Sequence, residues 1–124
     1  MSQSVELTLV IASVEALGEV IRELGALWRK EKTLATQDGR THEVDYVATD
    51  ADGTRVGVRI DPKTGRAVLI SEGCGSKAEA FARRIAQRYA YARVTDELRR
   101  KGYQLTTEER GRDGSVRLVA TRWG

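Results

Sequence analysis

Val5, Leu7, Leu9 and Ile11 alternate with Glu6, Thr8 and Val10. A two-residue period of this kind is that of a half-buried β-strand. Ser13 follows as a helix cap with Glu15 near the positive end, and Val14, Leu17, Ile21 and Leu24 recur at helical spacing. Gly25 stands where a left-handed residue ends such a helix. The pattern weakens over residues 26–42. There Leu27 and Trp28 read as buried, residues 29–32 as charged surface, 33–37 as a short strand and Asp38-Gly39 as a turn. Three strands then follow, over 43–49, 55–60 and 66–71, joined by Asp52-Gly53 and by the DPKTG turn of residues 61–65.

SKAE at residues 76–79 is a capping box, with Ser76 bonding the Glu79 amide and the Glu79 carboxylate reaching back to the Ser76 amide. It opens a helix expected to run to Lys101, with Gly102 as terminator, followed by strands over 103–109 and 115–123. The order β-α-β-β-β-α-β-β predicts a single α+β domain over 1–124, an antiparallel sheet with two helices packed on it. Divided after Ile60, the order reads as β-α-β-β twice, each half ending in an Asp-Gly hairpin, DYVATDADGTRVGVRI and YQLTTEERGRDGSVRLVATR. Duplication is one explanation. The simpler one is that Asp-Gly is a common hairpin turn.

The second helix carries most of the charge information. Residues 76–102 hold eight Lys or Arg against three acids, while the remainder holds thirteen against fifteen, within an overall charge of +3. Phe81, Ile85, Tyr89 and Ala92 share one side, the expected sheet-facing stripe, and Tyr91, Val94 and Leu98 form a second apolar stripe. Arg83, Arg84, Arg88, Arg93 and Arg100 spread over what remains. They form no single line of the kind a phosphate-tracking helix presents, and Arg93 and Arg100 can pair with Asp96 or Glu97. A solvated, partly self-paired face is the plainer reading, and contact with an anion or nucleic acid through Arg83, Arg84, Arg88 and Arg93 the sharper one.

At 40% hydrophobic and 31% charged, the chain has a globular composition and is long enough to fold without a metal or disulfide. Its one cysteine, Cys74, excludes an intrachain disulfide. No apolar run has the length of a bilayer span, and the N-terminus lacks the signature of a secretory signal, so the expected location is cytoplasmic, with no membrane partner.

Candidate chemistry is sparse. Cys74 lies between glycines just before a helix start, where amides and dipole lower a thiol's pKa, so Cys74, Gly75 and Ser76 read as a reactive-thiol or anion loop. A free cysteine is more often a small packing residue. His42 is the only histidine, so neither a metal site nor a cofactor is expected. His42, Asp45 and Cys74 are the one triple that could serve hydrolysis if the fold brought them together. Glu108-Glu109 lie on opposite faces of a strand and Asp50 and Asp52 in a turn, which suits neither pair to acid–base work in a cleft.

QRYAYARV at 87–94, the basic helix end, GY at 102–103, DGSVRL at 113–118 and RW at 122–123 resemble the hypothetical chloroplast reading frame thirty-five family. These are small proteins of plastids, cyanobacteria, other bacteria and some phages, of unknown function. The resemblance is specific over 85–124 and rests on element order in the first half. It implies a fold and no activity, and the ATPases and iron–sulfur proteins encoded near members imply an accessory role. In the family pattern a histidine follows RYAY, where this chain has Ala92.

Three functions follow from these readings. The first is a non-enzymatic module that self-associates or docks on a larger protein, an ATPase by the resemblance, through Tyr91, Leu98 and Trp123. The second is a nucleic-acid binder using residues 83–101, with Tyr91 stacking on bases. The third is a thiol enzyme built on Cys74. If strand edges are left open, the sheet can extend between subunits.

Overall fold

The computed structural model describes residues 4–35, 39–73, 75–110 and 116–122, with backbone alone from 103 onward. It is α+β, with strands β1 (Ser4–Leu9), β2 (Leu27–Lys30), β3 (Thr33–Ala35), β4 (Thr41–Glu43), β5 (Tyr46–Thr49), β6 (Arg55–Ile60), β7 (Ala67–Glu72), β8 (Tyr103–Arg110) and β9 (Val116–Arg122), and helices α1 (Val14–Glu23) and α2 (Lys77–Arg100). The chain falls into two compact units, Met1–Ala86 and Gln87–Gly124.

The first unit is built on a five-stranded antiparallel sheet in the order β1-β7-β6-β5-β2. The expected meander is its centre. β7, the first strand after the division at Ile60, lies between β1 and β6, so the two halves of the chain share one sheet. The turn from β5 to β6 is organised by Asp50, whose carboxylate accepts the amides of Asp52 and Thr54 at 2.9 Å each. The turn after β6 is held by the Asp61 carboxylate, which accepts the Lys63 amide at 2.9 Å and is thereby kept below the ordinary carboxylate pKa.

Alternation gives the sheet two faces. On one, Trp28, Ala48, Val56 and Ser71 stand in a cross-strand row, with Tyr46, Val58 and Leu69 beside them. Ala48, Val56, Val58, Leu69 and Ser71 have no exposed surface. α1 lies on this side. Its cap is Ser13, whose hydroxyl accepts the Ala16 amide at 3.0 Å, and Gly18 meets the indole so closely that a Cβ there would lie 2.7 Å from Trp28 Nε1. Trp28 in turn stacks on Tyr46, centroids 4.4 Å apart.

The other face carries Val47, Gly57 and Ile70 in a row that ends at Glu6. It is covered by a bent hairpin that the sequence pattern does not reveal. β2 pairs with β5 from Leu27↔Thr49 to Lys30↔Tyr46, and the same register resumes between β3 and β4 from Thr33↔Glu43 to Ala35↔Thr41. Two bonds cross the bend, Glu31 amide to Asp45 carbonyl at 3.3 Å and Val44 amide to Lys32 carbonyl at 2.9 Å. Asp45 ends the contact with β6, since its carboxylate takes the Ile60 amide at 2.7 Å in place of a strand carbonyl. Beyond it the hairpin turns over the sheet and sets Leu34 and Val44 against Val47 and Ile70 in one buried cluster.

Several boundaries therefore differ from the pattern. The strand expected over 43–49 is two strands broken at Val44-Asp45, and β2 forms where the pattern shows no strand. Leu27 is 54% exposed and not buried, because it sits on an edge strand and faces away from α1. β1 stops at Leu9, leaving Val10 and Ile11 outside it.

α2 follows the expected bounds closely. Phe81, Ala82, Ile85 and Tyr89 are buried, whereas Ala92 on the same stripe is only half-buried. The second unit contains the end of α2 and the β8–β9 hairpin, which carries a register irregularity between Leu105 and Thr107.

A Cβ at residue 57 would lie 2.7 Å from Val44 Cγ1 and 3.0 Å from Leu34 Cδ2. Gly57→Ala is accordingly expected to cost roughly 1–3 kcal/mol through overpacking. Adding Val44→Ala should recover part of the loss, giving a non-additive double-mutant cycle in denaturant unfolding.

Candidate functional site

The segment from Gly73 to the first turn of α2 is held by a set of hydrogen bonds centred on Ser76 and Glu79. The Ser76 hydroxyl accepts the Glu79 amide at 3.1 Å and donates to the Glu72 carbonyl at 2.6 Å. The Glu79 carboxylate does not return to the Ser76 amide as a capping box would have it. It accepts the Gly75 amide, and its other oxygen takes the Arg83 guanidinium at 3.0 Å. The Gly75 bond first, and Arg83 second, hold the Glu79 carboxyl below its ordinary pKa against the opposing effect of burial. An external anion here would have to displace a resident carboxylate from the Gly75 amide. Cys74 lies outside the described residues.

Beside this turn a cleft of about 590 Å³ opens between the hairpin end at Leu34, the β5–β6 turn and the start of α2. Leu34 contributes to its floor, and Arg55, Glu72, Ser76 and Lys77 line it, with the Arg55 guanidinium donating to the Ala35 carbonyl at 2.8 Å. None of this is readable from spacing. The bend at Asp45 brings Leu34 to residues 52–55, and no periodicity encodes a bend.

Four arginines of α2 have partners in their own chain. Arg83 pairs with Glu79, Arg84 lies 3.7 Å from Asp50 and over the Phe81 ring, and Arg100 lies 3.8 Å from Glu97. Arg88 sits over the Tyr91 ring, 5.2 Å from its centroid. The Arg100–Glu97 pair is legible at i,i+3 spacing. Arg84–Asp50 is not, since it spans two elements. Arg93 is half-buried.

Of the interaction candidates, Tyr91 and Leu98 are half-buried and Val94 is 46% exposed, and Trp123 lies outside the described residues. Thr95 on the same segment donates its hydroxyl to the Tyr91 and Ala92 carbonyls, at 3.1 and 3.0 Å. The hydrolytic triple does not gather among the described residues: His42 Nε2 lies 3.1 Å from Ser4 Oγ, and the Asp45 carboxylate is engaged with Ile60. Among the described residues no three His, Cys, Asp or Glu side chains gather as a metal site would require, and no helix is long and apolar enough to cross a membrane.

The model of a protein family described as a protein of unknown function, DUF1257, matches residues 20–119. The chain belongs to that family. The match reaches well into the first half, beyond the residues 85–124 where the motifs are most specific. An uncharacterized protein ycf35 of Pyropia yezoensis is 21% identical over 126 residues, covering 99% of this chain and 98% of the relative. One of the same name from Cyanophora paradoxa is 44% identical over 45 residues, covering 36% and 35% of the two chains. No solved structure matches the chain.

Because the folded Glu79 carboxyl has a lowered pKa, its contribution to stability is complete above the unfolded carboxyl pKa and is lost as pH falls through the folded value. Glu79→Gln keeps an acceptor but no charge. The stability gap between wild type and variant should be widest at neutral pH and close on acidification through that window, read from denaturant midpoints at a series of pH values.

Proposed function

We propose that the chain is a non-enzymatic interaction module that self-associates through the second apolar stripe of α2. The observation that carries this reading is the change in burial along the helix. Phe81, Ala82, Ile85 and Tyr89 are buried, and no residue from Tyr91 to Arg100 is, although Tyr91, Val94 and Leu98 keep an apolar stripe. An apolar stripe on a helix is a packing surface, and aromatic residues such as Tyr91 supply much of the energy of such contacts.

The partners of the arginines weigh against nucleic acid as the first occupant. Phosphate contacts need cations directed outward together, and Arg83, Arg84, Arg88 and Arg100 are each engaged within the chain. Exposed pairs of this kind are weak, and they bear on where the guanidinium groups point and not on stability.

Light scattering on the full chain, at low and high salt and with mixed short oligonucleotides, tests the reading. The expected result is a dimer or larger species whose mass ignores salt and oligonucleotide. Tyr91→Ala with Leu98→Ala should raise its dissociation constant about tenfold or more. A monomer that gains mass only with oligonucleotide at low salt would replace this reading with nucleic-acid binding.

A further inference from the structure

The five-stranded sheet has β1 and β2 at its edges, and the two edges are built differently. An open edge offers a row of unpaired amides and carbonyls, and proteins guard such edges with short strands, charges, prolines, bulges or bends. β2 is guarded. It has four residues, among them the exposed Arg29 and Lys30, and its chain bends away at Glu31-Lys32 into β3.

β1 is less guarded, with one of these devices, the charge of Glu6. It is six residues of SVELTL in unbroken register with β7, without lysine, proline or bulge. Its one charge, Glu6, leans inward over the sheet, 3.8 Å from Arg59 of β6. On the face shared with α1, Val5, Leu7 and Leu9 are each half-buried, whereas their β7 partners Ser71, Leu69 and Ala67 have no exposed surface. The apolar face thus continues past the point where the described residues of this unit cover it. Val10, next in sequence, is 73% exposed.

We propose that β1 pairs antiparallel with β1 of a second copy about a two-fold axis through Leu7, joining the two sheets into one. The self-association proposed above is assumed here, but not its location on α2. The register follows from the sequence. Facing residues must point to the same side of the joined sheet, so the axis passes through a residue and not between two. An axis at Glu6 would set Glu6 against the partner's Glu6, a like-charge pair that destabilises a sheet. An axis at Thr8 leaves Ser4, Val5 and Glu6 beyond the overlap. The axis at Leu7 places Val5 against the partner's Leu9, Leu7 against the partner's Leu7 and Glu6 against the partner's Thr8. All three apolar positions then complete their burial, and the carboxylates stay apart.

Thr8 is exposed and lies outside the buried core, so charge can be placed there without disturbing the fold. In this register Thr8→Glu sets a second carboxylate opposite the partner's Glu6, twice per dimer by symmetry, and should weaken dimerisation roughly 3- to 10-fold. Thr8→Lys sets an ammonium there and should leave the dimer as tight or tighter. Sedimentation equilibrium on the full chain gives both constants, with unfolding midpoints as the check on folding. Hydrogen exchange supplies a second readout, with alternate β1 amides slowing as concentration rises. A monomer at every concentration overturns both this proposal and the α2 reading. A dimer that ignores the charge at Thr8 and loosens in Tyr91→Ala with Leu98→Ala overturns the β1 contact alone. A dimer sensitive to Thr8 and indifferent to those two substitutions keeps the β1 contact and removes the α2 stripe.

Discussion

The layer over the second face of the sheet depends on the hydrogen atom that Gly57 carries in place of a side chain. Val44 and Leu34 fill that space, 2.7 and 3.0 Å from where a Cβ would stand. With them in place, a strand pair that would otherwise be a flat extension of the sheet becomes a cover. Asp45 makes the bend possible by giving the Ile60 amide a carboxylate once the strand carbonyls have turned away. The bend and the Asp45 side chain belong together, since the carboxylate supplies the acceptor that the departing strand withholds. The cleft beside Leu34 is a consequence of the same bend.

Much of this architecture is legible in the sequence because local chemistry and global fold agree. The Ser13 cap, the meander with its two turns and the long helix are each announced by residues that form them without outside help. The bent hairpin is not. Its strands have three or four residues each, too short for alternation to register, and they are held by pairing between positions as far apart as Leu27 and Thr49. Leu27 misleads for a related reason. Hydrophobicity suggests burial, but an edge position is decided by which strands pair.

The candidate sites divide along the same line. The pairing of Arg100 with Glu97 lies within one helix and follows from spacing. The link between Arg84 and Asp50 needs a turn brought to a helix, and the diversion of Glu79 to the Gly75 amide needs the path of the preceding loop. Both change what the basic helix offers. Cations that a count of charges would leave to a ligand are directed at acceptors of the chain itself. The helix's role is thus better judged from the sites where its arginines end than from how many there are.

The pairing of β1 with β7 bears also on how the chain is made. β1 is synthesised well before its partner, which begins at Ala67, after α1, the bent hairpin and most of the meander. The meander closes through short turns and carries low loop-closure entropy, whereas β1 must be recruited across about half the chain's length. During synthesis an apolar strand therefore waits without a partner while the rest is translated. Exposed apolar strand surface of this kind is what makes a partly made chain prone to aggregation, and an edge strand paired late in sequence lengthens the time it stays exposed.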